Sequence, residues 1–133
     1  MVLIEAMAHQ EGYFGSDPEV RPRRNNNPLD LIYGTESRSF GAKGGDPEFA
    51  IFPDAITGWR AGARWLSVPA RFDREGNLAG GYLGAKLRQV IFRFAPPSQN
   101  NSQAYLDYVC ENTGYTEDTV LTAAMLQLPE VAA

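Results

Sequence analysis

The chain contains one cysteine, Cys110, and one histidine, His9. A single cysteine excludes an intrachain disulfide, and a single histidine excludes His-rich metal sites. No motif supports a Cys110–His9 nucleophile pair. Cys110 falls within an apolar helical pattern and reads as a small buried hydrophobe. No apolar run reaches the length of a membrane span, and no basic segment followed by an apolar one marks a signal peptide. Positive charge is in deficit: 12 Lys and Arg stand against 16 Asp and Glu, a formal net charge of −4. That balance argues against a nucleic-acid partner, which would favour a basic patch. A Gly-rich phosphate loop, an internal repeat, a low-complexity tract and a heptad run are all missing. No metal or other cofactor is expected.

What is present suits one domain over residues 1–133, acting as a monomer, with a frayed tail from about 129. Hydrophobic residues make up 44% and aromatics 11%, enough for a packed core. The opening stretch organises the rest. Val2, Leu3, Ala6, Met7 and Gln10 recur at helical spacing, and Gly12 is a natural stop. Glu11 then falls in the last helical turn, where the helix dipole disfavours a second negative charge. Tyr13 and Phe14 follow and exclude water. Both effects raise a carboxyl pKa, and a carboxylic acid kept protonated near neutral pH is what glycosidic bond cleavage requires.

The segment from Gly15 to Pro28 reads as a loop. It contains the acids Asp17 and Glu19, the arginines Arg21, Arg23 and Arg24, and the run Asn25-Asn26-Asn27. Asparagine amides satisfy turn backbone, and they also face sugar hydroxyls and acetamido groups. Leu31-Ile32-Tyr33 reads as a short strand pairing with Arg38–Phe40, with Thr35, Glu36 and Ser39 on or near the ribbon and Phe49–Phe52 as a further apolar run. Asp54 caps a helix carrying Ile56, Trp59, Ala63 and Leu66. Gly58 and Gly62, four apart, invite the close approach of another helix. Trp59 is expected in the core, which leaves Trp65 free to stack on a sugar face. Val68–Gly81 reads as a linker with an exposed turn. A helix follows over about 84–94 and is stopped by Pro96-Pro97. Ser102 caps the next, which runs to about Asn112 with Tyr105, Leu106, Val109 and Cys110 inward. Thr116 is expected to start a last helix through Val120 and Met125.

Several of these stretches, in this order, carry a resemblance. They are Glu11-Gly12-Tyr13-Phe14, Arg24-Asn25-Asn26-Asn27-Pro28, Phe49–Asp54 with Gly58 and Trp59, and Arg93-Phe94-Ala95-Pro96-Pro97 followed by Asn100-Asn101-Ser102 and Tyr105. Together, over roughly Ile4 to Gly114, they resemble a recurring phage and prophage family described as virion-associated or structural lytic proteins with a lysozyme-like domain. The resemblance implies a predominantly helical α+β fold, lysozyme-like, with a small β-ribbon beside a helical bundle and a substrate cleft. It implies a peptidoglycan-degrading muramidase acting on glycan strands of the bacterial cell wall, with Glu11 as general acid. An enzyme of that kind without a signal peptide would be phage- or prophage-encoded, virion-associated or exported by another route. The chain departs from the family at Pro28-Leu29-Asp30, where the family has glycine in place of Leu29. Asp30 becomes the candidate second carboxylate. Asn25, Asn26, Asn27, Tyr33, Thr35, Asn101 and Tyr105 are the candidate substrate-binding residues, Asn100 lies beside them, and the Tyr105 hydroxyl is placed to bond the catalytic carboxyl. A lytic transglycosylase using the same glutamate, a non-catalytic virion or wall-binding module, and activity on a chitin-like polymer are the rival readings.

Overall fold

A computed structural model describes residues 1–132. It is an α+β fold in which six helices surround one core and two two-stranded antiparallel ribbons lie outside it. The first helix, α1 (Leu3–Glu11), runs through the centre. Leu3, Ile4, Ala6, Met7 and Ala8 are all fully buried. The buried face is wider than the expected stripe, because it includes Ile4 and Ala8 and leaves Gln10 exposed. A helix apolar on most sides belongs in the interior. It ends as its glycine implies. Gly12 adopts φ 90°, its N–H reaches His9 O, and Tyr13 N–H reaches Ala8 O. This is the paired closure that a left-handed residue permits.

The loop after α1 is not wholly irregular. Arg21–Arg24 forms one helical turn, α2, started by Pro22. The ribbon differs from expectation too. Thr35–Ser39 is a short helix, α3, so Arg38–Phe40 does not pair with Leu31–Tyr33. The Ser37 hydroxyl accepts from Gly34 N–H and closes that turn locally. Ile32 pairs instead with Phe49, and β1 (Gly44–Gly45) pairs with β2 (Ala50–Ile51), Gly45 opposite Ala50. The result is still a small ribbon beside the helices.

Helix α4 (Ala55–Leu66) is capped by Asp54, whose carboxylate accepts from Thr57 N–H at 2.9 Å. Trp59 is in the core at 1% exposure. Gly58 and Gly62 do permit close approach, but of a loop rather than a helix. A Cβ on Gly58 would fall 1.7 Å from Asn26 O, and one on Gly62 would fall 2.9 Å from Leu29 Cδ1. The asparagine-proline turn is thus clamped onto α4 at the positions that have no side chain.

The expected linker contains a second ribbon, in which β3 (Arg71–Phe72) pairs with β4 (Leu78–Gly80). Its turn is built by Asp73, which accepts from both Glu75 and Asn77 N–H. Helices α5 (Leu87–Phe94) and α6 (Ser102–Thr113) follow, α6 packing on both α1 and α5. Asn101, not Ser102, caps α6 by accepting from Ala104 N–H. Ser102 is buried and donates to Ala95 O.

The expected last helix is absent. Residues 116–119 form a turn, and Val120 then pairs with Lys86 at the start of α5. Leu87 N–H donates to Thr119 O and Arg88 N–H to Glu117 O. These are orphan donors of the first turn of α5, which has no side-chain cap, and the carbonyls of the 116–119 turn satisfy them. Only a 3₁₀ turn, Ala123–Met125, remains of the helix. The tail is not frayed through Ala132. Pro129 and Ala132 are buried, and Glu130–Ala132 packs on α4. Ala133 lies outside the described residues. Among the described residues, no helix is long and apolar enough to cross a membrane.

Candidate functional site

A cleft of about 530 Å³ opens between the Leu29–Ile32 segment and the end of α5 with the loop through Asn100. Glu11, Arg21, Phe49, Trp65, Tyr82 and Arg93 complete its lining. The fold brings Glu11 and Asp30, 19 residues apart in sequence, to this one cavity.

Glu11 reaches it because the glycine stop ends α1 there. Burial is the largest influence on its carboxyl and lifts the pKa from 4.5 to about 7. Tyr105 opposes this by donating to Glu11 Oε2 at 2.9 Å, the negative charge of Asp30 adds to the rise, and Arg21 subtracts from it. Tyr105 is itself buried, and its hydroxyl also lies 3.3 Å from Met7 O. It therefore has a second acceptor when Glu11 carries its own proton. Burial, then the neighbouring Glu11, holds the Tyr105 phenol well above its ordinary pKa, so it remains a donor.

Asp30 is held by Arg21. The guanidinium contacts both carboxylate oxygens, Nε at 3.1 and 3.0 Å and Nη2 at 2.6 Å. The Asp30 side chain is only 8% exposed, and the Arg21 guanidinium lies flat over Phe49, Cζ 3.5 Å from the ring centre. Such a forked, stacked pair fixes the carboxylate in place. Backbone geometry adds to this, since Asp30 has φ 54° and its N–H bonds Asn27 O. The left-handed positions in this turn are Asn26 (φ 51°) and Asp30, both residue types that tolerate it. Leu29 is not strained, since its φ is not positive. It is buried against Gly62.

The asparagine run does not face the cleft. Asn27 is fully buried: its amide donates to Leu31 O and Ala50 O, and its carbonyl accepts from Leu31 N–H, each at 2.9 Å. Asn26 donates to Phe52 O, and Asn25 is buried, its backbone carbonyl accepting from Phe52 N–H. The amides of Asn26 and Asn27 and the backbone of Asn25 tie the ribbon to the turn that carries Asp30, so their expected role in substrate binding is replaced by a positioning one. Tyr33 and Thr35 are exposed but lie outside the cleft lining. Asn101 is committed to capping α6, whereas its neighbour Asn100 does line the cleft. Of the expected substrate-binding residues, only Tyr105 touches a cleft carboxyl.

Asp17 and Glu19 are exposed on the loop, and Asp17 accepts from Glu19 N–H. His9 stacks on Phe14 at 4.2 Å, and partial burial pushes the Cys110 thiol up, away from the thiolate a nucleophile needs. The described residues contain no group of three or more His, Cys, Asp or Glu arranged to hold a metal ion.

Sequence reasoning gave no site role to Tyr82, Arg93 or Gln99, although Arg93 stands in a stretch that carries the resemblance, and it missed the role of Arg21 as the partner of Asp30. Arg21 was visible only as part of a basic cluster. Its neighbours are spent on the fold, Arg24 on Asp46 and Arg23 on Tyr13 O.

No family model matches the chain. It is 32% identical over 103 residues to Protein P5 of Pseudoalteromonas phage PM2, a match covering 71% of this chain and 56% of that protein. The chain spans little more than half the length of that curated relative, and what it is similar to is a phage protein.

Proposed function

We propose that this chain is a lysozyme-like glycosidase that cleaves the β-1,4 bond between N-acetylmuramic acid and N-acetylglucosamine in peptidoglycan, acting on the bacterial cell wall. One observation carries the reading. A glutamic acid with a pKa of about 7 lies on the wall of an open cleft, with a second carboxylate lining the same cavity. Two acids with such different surroundings divide acid and base roles between them. Glu11 holds its proton near neutral pH and delivers it to the glycosidic oxygen as that bond breaks. Asp30, fixed by Arg21, presents negative charge to the positive charge that develops on the sugar ring. Trp65 offers an aromatic face to a pyranose ring. The helix ending in a glutamate beside a β-ribbon supports the lysozyme-like comparison, and similarity to a phage protein supports a phage origin.

A second reading rests on Asp30 itself. Arg21 engages both of its oxygens. An acid so occupied is a weak activator of water, which favours a lytic transglycosylase, where Glu11 serves alone and the sugar's own hydroxyl attacks. Mass spectrometry of the fragments released from purified peptidoglycan separates the two. Reducing ends are expected from the glycosidase and 1,6-anhydro ends from the transglycosylase. Release of neither, at any pH between the two pKa values of Glu11 given above, would leave the fold as a wall-binding module.

Tyr105→Phe tests the proton donor. Because the tyrosine lowers the Glu11 pKa, its removal raises it. The alkaline limb of the pH–rate profile then moves to higher pH by roughly half to one pH unit, as one hydrogen bond of about 1 kcal/mol implies. A limb that stays put or moves to lower pH would separate Tyr105 from the acid.

A further inference from the structure

Arg93 is a cation with no carboxylate to answer it. It lies in the last turn of α5, Cζ 5.4 Å from the centre of the Tyr82 ring. Among the described residues it takes part in no ion pair, whereas Arg88 one turn earlier is engaged by Glu117 and Gln103. Lacking an ion pair does not distinguish it from most other cations of the chain, but its position does. Arg93 lines the 530 Å³ cleft and also a shallower depression of about 240 Å³ formed with Asn77, Leu78, Gln89 and Phe92. The two concavities meet at its side chain.

Charge in the cleft sharpens the point. Arg21 and Asp30 cancel, and Glu11 is neutral when it holds its proton. The working cleft therefore carries one uncompensated positive charge, from Arg93, in a protein whose net charge is −4. The helix dipole favours a cation at the end of α5, but it does so equally at every position around the last turn. It does not account for a cation on the rim of the cleft.

We propose that Arg93 is a specificity-determining residue that binds the lactyl carboxylate of strand segments freed of their stem peptide, with the depression beyond it receiving that lactyl substituent. The proposal rests on the glycosidase reading and narrows it, because it makes an anionic glycan the substrate in place of a neutral chitin-like one. A guanidinium on an aromatic face, open to solvent on one side, suits a carboxylate that must bind and leave with each turnover.

The test uses the full chain carrying Glu11→Gln, so that strands bind without being cut. Three probes are titrated calorimetrically: glycan strands stripped of peptide, with a lactyl carboxylate on every second sugar; the same strands with those carboxylates converted to methylamides; and a chitin oligosaccharide. The carboxylate strands are expected to bind roughly five- to tenfold tighter than the other two, the range set by a partly exposed charge-assisted contact, and more so at low salt. Adding Arg93→Gln is expected to remove that preference while leaving binding of the methylamide strands unchanged. Arg93→Lys is expected to keep part of it. Unchanged binding of the methylamide strands also serves as the control for folding. If the preference is absent, or survives Arg93→Gln, the proposal is overturned while the glycosidase reading stands. If none of the three probes binds, both fall together.

Discussion

Glu11→Gln is expected to reduce kcat for strand cleavage by about 100- to 10,000-fold, the range typical for loss of a positioned general acid, with little change in binding. The amide keeps the shape and the bond from Tyr105 but has no proton to give. Turbidity loss of purified peptidoglycan, followed across pH, checks this. Wild-type activity should fall as pH rises through about 7, where Glu11 loses its proton. Equal rates in both proteins would remove Glu11 from the mechanism. The same substitution has an opposite signature in stability. The folded protein holds the Glu11 proton more tightly than the unfolded chain, with a pKa of about 7 against 4.5. The stability this contributes is fully present below the lower value and is lost as pH rises through the upper one. Glutamine cannot ionise, so the variant should melt above the wild type at alkaline pH, and the gap should open across that window. An inactive protein with raised alkaline stability is not a misfolded one.

Asn27→Ala is expected to cost about 3–5 kcal/mol in folding stability, read by denaturant unfolding. Its side chain serves Leu31 N–H, Leu31 O and Ala50 O in a fully buried site. Leu31 O keeps a second donor in Ala50 N–H, but Leu31 N–H and Ala50 O are left bare. Two buried unsatisfied backbone groups account for a cost of this size. The loss should also reach function, because the backbone of Asn27 holds the Asp30 N–H. Activity of whatever protein remains folded should fall in kcat. A stability change under about 1 kcal/mol would mean that water replaces the amide, and the turn would then be less dependent on Asn27 than its burial indicates.

The two results concern the same distinction. Glu11 was legible because its signals are local: an apolar period, a glycine stop, and aromatic residues directly after. The asparagines were misread because asparagine's donor and acceptor serve backbone and sugar equally well. Which of the two they serve depends on whether the side chains point into or away from the core. That is set by how the turn packs on Gly58 and Gly62, 30 or more residues later in the chain. The last helix failed for a related reason. Residues 117–121 have an acceptable helical pattern, but α5 leaves first-turn donors open, and a non-helical turn whose carbonyls face them satisfies them better. The 35–39 segment went the other way, where one serine closing on Gly34 outweighed a β-prone reading.

The sequence by itself determined the α+β class, the central helix with its stop, the cap on α4, the buried Trp59 and the raised carboxyl of Glu11 at the helix end. Each rests on interactions within about one helical turn, or on a residue's own solubility in the core. Only the tertiary structure decided that Arg21 holds Asp30, that the asparagines brace the ribbon rather than the ligand, and that Trp65, Tyr82 and Arg93 share a cleft with Glu11. Those pairings join residues far apart in the chain. Their geometry comes from packing between elements, which no spacing along the sequence encodes.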